Sequence, residues 1–404
     1  MPIVFTLGRF FTDLFAVIIS LIFIILLILE KNYDYFINKT SISFFLWCFL
    51  IIIISLFSND PILSLESSLF YFRFGLFALA IVYVLNNFSN WHSLLLKFFI
   101  ASYCLSIFVV FIELYFNFNI VIYLTTGYGA AAQSAVYSNA RITGIFGEDV
   151  MLGSYIARTI PIFLAILLLR FNLLSSLTIF SIILLIIVST IIVFLSHERA
   201  SIFYVLMSTI VLLLCLNLKN KFTYLIISCP IIFLIFFLYL NKIFYERFIL
   251  HTYRQISSAN FLSFSDQYLN YYQTAFQIFL ENYLFGIGPK LYRLECFKYV
   301  SDMNPCNTHP HNIYLQLLSE IGFIGLIPVI LLLLTFIYMI FRHFFSKIFF
   351  KKEFLTNYQI CLFISCFIFL FPFIPTGSFF NNYLNCLFFF SSAMLLHSFK
   401  FLKS

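Results

Sequence analysis

Charge is what this chain has least of. Lys, Arg, Asp and Glu together make up 10% of its 404 residues, against about 25% in a soluble domain. Water is therefore excluded as its main solvent. Also missing is the alternation of apolar and polar residues over roughly ten positions that a membrane β-barrel strand needs. The chain has no low-complexity linker, no internal repeat that aligns and no stretch of soluble composition. A cleavable leader is missing too. The apolar run after Arg9 ends at Glu30-Lys31 without the small-residue cleavage site of a secretory signal, so it reads as a retained first helix.

What is present is long uncharged runs of Leu, Ile, Phe and Val, with 63% of residues hydrophobic and 59 of them Phe. In hydrocarbon every backbone polar group must be satisfied internally, which leaves helices once barrels are excluded. The stretch from Leu174 to Val193 matches the roughly 20 residues a helix needs to cross. The expected fold is thus all-α, a polytopic transmembrane helical bundle of about eleven to twelve spans. Charge and turn punctuation place eleven of them near 12–30, 43–57, 69–86, 93–116, 151–169, 174–195, 201–216, 222–240, 313–341, 357–374 and 382–398. Residues 1–404 read as one integral membrane domain, with a large loop over 241–311.

Basic residues in short loops mark the cytoplasmic side. Lys31, Lys39, Lys97, Arg170, Lys219, Lys221, Arg342, Lys347, Lys351, Lys352, Lys400 and Lys403 alternate correctly with eleven spans and put the amino terminus outside. The remaining basic residues are unlike them. Arg9, Arg73, Arg141, Arg158, Arg199, Arg247, Arg254 and Arg293 fall on the outer side or within spans. A guanidinium holds phosphate through two hydrogen bonds and stays charged at ordinary pH. An anionic, phosphate-bearing ligand on the outer face accounts for the excess. Snorkelling to headgroups, or pairing with Glu113, Glu198 or Glu246, is the plainer alternative. Arg73, Arg158 and Arg199 share a depth near the outer interface, which suits a diphosphate whose lipid tail stays in the bilayer.

Within the loop, Tyr268, Tyr271, Tyr272, Ala275, Ile278 and Phe279 follow helical spacing after Asp266, and Gly286-Ile-Gly288-Pro289 stops the run. An amphipathic helix at the membrane surface is expected there. Cys296 and Cys306 stand apart from the other seven cysteines, which fall in or beside spans, and read as a disulfide on an oxidising face. With His309 and His311 they match no familiar zinc spacing, so no metal and no cofactor is expected. Thr308-His-Pro-His-Asn312 runs straight into a long apolar span. A histidine at that mouth can take a proton near neutral pH. Asn312 can cap the helix, and Gly322 and Gly325 allow close helix packing.

His311-Asn312, nine residues and then Gly322-x-x-Gly325 resembles the pattern of the O-antigen ligase and polymerase family. Arg141 to Tyr155, Ser196-His-Glu-Arg199-Ala-Ser, Asn282-Tyr-Leu-Phe-Gly-Ile-Gly-Pro289 and Pro375-Thr-Gly-Ser-Phe-Phe-Asn-Asn382 are similar to that family's punctuation, in family order. The resemblance covers roughly residues 60 to 400. It implies a metal-independent, inverting glycosyltransferase of the bacterial inner membrane, working at the periplasmic face. The implied donor is an undecaprenyl-diphosphate-linked glycan. The acceptor is lipid A-core for a ligase, or the next lipid-linked repeat unit for a polymerase. By position Arg199 resembles the family's phosphate-binding arginine and His311 its loop histidine, with His309 second. Arg247 or Arg254 stands where a second loop arginine is expected. A transporter or flippase of lipid-linked sugars is the rival of another class, but the internal repeats and broken mid-membrane helices of transporters are not evident. Nothing points to a nucleic-acid partner.

Overall fold

The computed structural model describes residues 1–126, 141–170, 174–217, 221–240, 242–250, 252–254, 266–299 and 306–399. Among these residues there is no strand. The principal helices are α1 (Arg9–Glu30), α2 (Lys39–Leu56), α3 (Pro61–Ser68), α4 (Phe72–Asn87), α5 (Trp91–Phe116), α6 (Leu152–Arg170), α7 (Ser176–Leu195), α8 (Arg199–Cys215), α9 (Lys221–Leu240), α10 (Asp266–Glu281), α11 (Ile313–Phe350), α12 (Asn357–Phe369) and α13 (Asn382–Ser398). Each of the eleven expected spans coincides with one of them.

Seven segments are long and apolar enough to cross a membrane: α1, α2, Pro61–Asn87, α5, α6, α7 and α11. Arg199–Cys215, Ser228–Leu240 and Asn357–Phe369 are apolar but shorter. These three, with the 17 residues of α13, are the expected spans that fall short in length. The 13 residues of α12 rise only about 20 Å at 1.5 Å each, short of a hydrocarbon core about 30 Å thick. The protein is a multi-pass membrane protein.

Local chemistry sets the helix starts. Asn38 accepts from the Thr40 amide at 3.0 Å, and Asp60 from that of Leu63 at 3.1 Å, with Pro61 in the first turn. Ser175 caps α7 through Thr178, and Asn381 caps α13 through Leu384. These caps satisfy amides that no helix can satisfy for itself.

By internal contacts the chain divides into two compact units. The first comprises Met1–Phe15, Val84–Phe248 and Tyr338–Phe369. Helix α6 is its interior element and touches α5, α7, α8 and α12. Residues Leu152 to Leu167 of α6 are almost all buried except Ser154. Such all-round burial is unlike the lipid-facing helices around it. Between helices in lipid, close approach and polar contacts replace the hydrophobic drive, and α6 supplies both. A Cβ on Gly153 would lie 2.4 Å from Ser196 Oγ. Tyr103 on α5 shares a 2.9 Å hydrogen bond with Thr159 on α6.

The second unit comprises Ala16–Tyr83, Ile249–Ile337 and Leu370–Ser404. An aromatic cluster of Phe44, Trp47, Tyr71, Phe74, Phe379 and Phe389 forms much of its core. Its polar tips are satisfied, Trp47 Nε1 donating to the Gly325 carbonyl at 2.8 Å and Tyr71 Oη to Asn385 at 2.8 Å.

Candidate functional site

Helix α11 is broken where the G-x-x-G pair begins. Gly322 sits at φ 67°, a backbone region that side chains disfavour. The turn after α10 enters the break and takes over its hydrogen bonds. Phe323 and Ile324 donate to the carbonyls of Tyr283 and Leu284 at 2.8 and 3.2 Å, while Ile287 and Gly288 donate to those of Ser319 and Glu320 at 3.0 and 2.8 Å. A Cβ on Gly322 would lie 2.3 Å from the Leu284 carbonyl oxygen, and one on Gly286 would lie 2.5 Å from the Glu320 backbone. Gly288, at φ 112°, fits against Ser58. Helix-to-helix packing was the sequence expectation for Gly322; backbone docks on backbone there instead. Gly325 remains helical, and its carbonyl receives Trp47.

This junction fixes the loop over the start of α11. Glu320, fully buried, accepts from Gln316 Nε2 at 3.0 Å and from the Tyr292 amide at 3.4 Å. Gln316 in turn donates to Ser378 Oγ at 2.9 Å and accepts from the Phe379 amide at 2.9 Å. Neither Gln316 nor Ser378 was marked by sequence reasoning. Their signal is a long-range pairing that no local motif carries. Ala275, Ile278, Ile287, Leu291, Tyr292 and Cys296 form a small core beneath. Cys296 and Cys306 are joined, with Cα atoms 5.6 Å apart.

The histidines stand at the mouth of α11. Asn312 accepts from the amides of Tyr314 and Leu315 at 3.0 and 3.2 Å and donates to the Pro372 carbonyl at 3.0 Å. It is both cap and tether. The preceding His311 is left-handed, at φ 57°, and its carbonyl accepts from the Thr376 amide at 2.9 Å. Non-glycine residues held this way concentrate at functional sites. Tyr268 and Tyr271 of α10 place their rings 5.4 and 6.0 Å from that of His311. His309 and His311 lie 4.3 Å apart, ring to ring.

Their nitrogens are engaged differently. Asn307 Oδ1 accepts from the Thr308 amide at 2.7 Å, which turns its Nδ2 toward His311 Nε2 at 3.0 Å. The amide donates, so His311 Nε2 accepts and its ring proton sits on Nδ1. His309 Nδ1 meets Thr308 Oγ1 at 3.0 Å. His309 Nε2 is buried and makes no hydrogen bond among the described residues. Burial, neighbouring His311 and Arg293 hold the His309 pKa down to about 4, against the opposing pull of the Thr376 backbone. Burial also lowers that of His311, again opposed by the Thr376 backbone. Both rings are therefore neutral near pH 7, which is the form that can take a proton. Arg293, whose Nε is likewise buried without a hydrogen bond among the described residues, belongs to this cluster; the sequence counted it only among the outer arginines and not beside the histidines.

In the first unit three of the expected arginines, Arg141, Arg158 and Arg199, lie on or beside the elements that Glu198 ties together. Glu198 accepts from the amides of Gly153 and Ser154 at 2.8 and 3.1 Å and from Ser201 Oγ at 2.8 Å. It thereby closes the amino-terminal end of α6, where a negative charge is favoured. Arg158 donates to Ser154 Oγ and is 3% exposed, its guanidinium 4.7 Å from the Tyr204 ring and 5.2 Å from that of Phe369. Arg141 is exposed and opposes the burial that raises the Glu198 pKa. Arg199 is the first residue of α8, next to Glu198. Glu113 is also occupied with backbone, accepting from Thr143 and Gly144 at 3.2 and 2.7 Å. Among the second unit's arginines, Arg73 donates to the Phe70 carbonyl at 2.9 Å and covers Phe74, and Arg254 is exposed. The side chain of Arg247 lies outside the described residues.

Residues 183–330 match the O-antigen ligase family model. The chain carries an O-antigen ligase domain. The matched stretch runs from α7 into α11. It takes in Arg199, the loop, both histidines and the break at Gly322. No curated protein matches the chain.

Proposed function

We propose that this protein is an O-antigen ligase. It transfers a glycan from undecaprenyl diphosphate to lipid A-core at the periplasmic face of the bacterial inner membrane. The observation that carries the reading is the histidine pair at the mouth of α11, its rings 4.3 Å apart, with His309 Nε2 making no hydrogen bond among the described residues. The acceptor hydroxyl oxygen attacks the anomeric carbon of the donor. The bond from that carbon to the diphosphate oxygen breaks, and the hydroxyl proton passes to the imidazole. A single displacement of this kind inverts the anomeric centre. His309 Nε2, without a hydrogen bond among the described residues, is assigned as the proton acceptor. His311 positions it and faces the tyrosines, whose rings suit a sugar face.

The leaving diphosphate needs its charge countered, which fixed guanidinium groups do without a metal. That role is assigned first to Arg199 and Arg141. Arg158 supports it by bracing Ser154 beneath Glu198. Arg73, Arg247 and Arg254 are proposed as further contacts along the donor.

The test is glycan transfer in a deletion strain complemented with His309→Ala, His311→Ala or Arg199→Ala. Each variant is expected to reach the membrane in normal amount and to leave lipid A-core uncapped. Normal capping in both histidine variants would overturn the assignment. The deletion strain separates the two family activities, since a ligase defect removes every glycan-capped core. Cores bearing a single repeat unit instead identify a polymerase.

A further inference from the structure

Helix α10 has three faces, not two. At about 100° per residue, Tyr271, Ala275 and Ile278 form the face turned to the loop core, where Ala275 and Ile278 are fully buried. Gln273, Gln277 and Glu281 form an exposed polar stripe. Beside it runs an exposed apolar stripe of Phe276 and Leu280, at 48 and 57% exposure, which leads past the helix end into exposed Tyr283, Leu284 and Phe285. Neither a buried helix nor a water-facing one needs that third face.

The junction at Gly322 shows what the stripe adjoins. One end of α10 sets Tyr271 against His311, and the turn at its other end bonds to Phe323. Twelve residues separate each pair of anchors, about 18 Å along either helix. Helix α10 therefore runs parallel to the first turns of α11, beside them. With 38 residues, α11 is about 57 Å long, nearly twice a hydrocarbon core of about 30 Å. Its basic end begins at Arg342, and about 20 residues back from there, one crossing length, is Gly322. Beyond that point the helix carries buried Gln316, Ser319 and Glu320. Before it lie exposed Phe323, Ile327, Leu331 and Leu334, the lipid-facing side of the span. The apolar stripe of α10 thus ends where that surface begins and is continuous with it.

We infer that the turn following α10 is a lipid-inserted wedge, in which Leu280, Tyr283, Leu284 and Phe285 dip among phospholipid chains at the outer boundary. The Gln273–Gln277–Glu281 stripe stays in water. The partner is the bilayer itself. The proposal is independent of the transfer reaction assigned above.

The test is photo-crosslinking of the full-length protein in phosphatidylethanolamine–phosphatidylglycerol nanodiscs. The photoreactive amino acid p-benzoylphenylalanine is placed singly at 276, 277, 280, 284 and 285. Lipid adducts, read by intact mass, are expected at 284 and 285, less at 280 and least at 276. The yield at 277 should be under a tenth of that at 284. At 276 and 285 the probe replaces phenylalanine and keeps an aromatic ring, so those positions carry the test if the Leu284 variant does not fold. Equal lipid yield at 277 and 285 would overturn the wedge. A crosslinked dimer from 285 would do so as well, because a second copy would then cover the stripe.

Discussion

Two glycines three residues apart look interchangeable on paper, and the fold says they are not. In Gly322→Ala the new methyl would sit 2.3 Å from the Leu284 carbonyl oxygen and 2.5 Å from the Phe285 amide nitrogen, both backbone atoms. Neither can rotate away. The backbone at φ 67° and ψ −173°, a region almost confined to glycine, adds about 1–3 kcal/mol for a side-chain-bearing residue. Parting the docked turn weakens four backbone hydrogen bonds, each worth about 0.5–1.5 kcal/mol net. Together these give a loss of at least about 3 kcal/mol. In Gly325→Ala the methyl meets only Ile321 side-chain atoms of its own helix, the nearest at 2.7 Å. Ile321 Cδ1 and Cγ1 can rotate away, but its Cβ at 2.8 Å is fixed to the chain, so a small backbone adjustment is also needed, against which alanine regains about 1 kcal/mol of helix propensity. The net change should stay within about 1 kcal/mol. The assay is heating in detergent, with the fraction left monodisperse read by size exclusion. Gly322→Ala is expected to melt well below the parent and Gly325→Ala close to it. Equal losses, or a larger loss at 325, would refute the backbone-docking account.

Three further expectations follow from the same geometry. The folded His309 pKa lies at about 4 against an ordinary 6.5, so the acid limb of transfer by the purified protein should fall below pH 5. A limb centred at pH 6.5 would remove His309 as the proton acceptor. Because that pKa is lowered on folding, the unfolded chain binds the extra proton between about pH 4 and 6.5. Stability should therefore fall as pH drops through that window, by no more than about 3 kcal/mol. Glu198→Gln leaves one side-chain carbonyl to serve the Gly153 and Ser154 amides and removes the charge at the start of α6. A loss of about 1–3 kcal/mol in the same heating assay is expected. Joining Cys296 to Cys306 constrains a short loop, worth up to about 3 kcal/mol. Reduction, or Cys296→Ser with Cys306→Ser, should speed proteolysis between α10 and α11 while leaving the spans intact.

What the sequence made legible was whatever composition or local spacing carries. Long uncharged runs marked the helices, because hydrocarbon leaves the backbone no other choice. The Asn312 cap could be expected from its place before an apolar run, and the tyrosines of α10 from their spacing. The interior position of α6 was not legible, since buried and lipid-facing helices are equally apolar and only the small residues at Gly153, Ala157 and Ala165 distinguish it. Glu113 and Glu198 were read as candidate partners for arginine. Their oxygens instead hold the backbone at Thr143–Gly144 and Gly153–Ser154. Arg293, Asn307 and Thr376 reach the histidines from segments whose approach is a tertiary fact.

The family's scattered punctuation has a common physical cause. Asn282 to Pro289 and His311 to Gly325 look like separate motifs, yet each supplies half of one junction. Gly286 lets the turn approach Glu320, and Gly322 opens the helix to receive it. Such a junction leaves few unsatisfied groups, because amides freed by breaking α11 are bonded by the entering turn. It also sets how far the loop lies from the start of α11. The Tyr271–His311 approach at one end and the Tyr283–Phe323 hydrogen bond at the other are equally spaced along both helices. Lengthening α10 by one residue would rotate Tyr268 and Tyr271 by about 100° and take their rings off His311. The glycines therefore act on the chemistry without touching it. A one-residue insertion in α10 should abolish transfer even where both histidines and every arginine are intact.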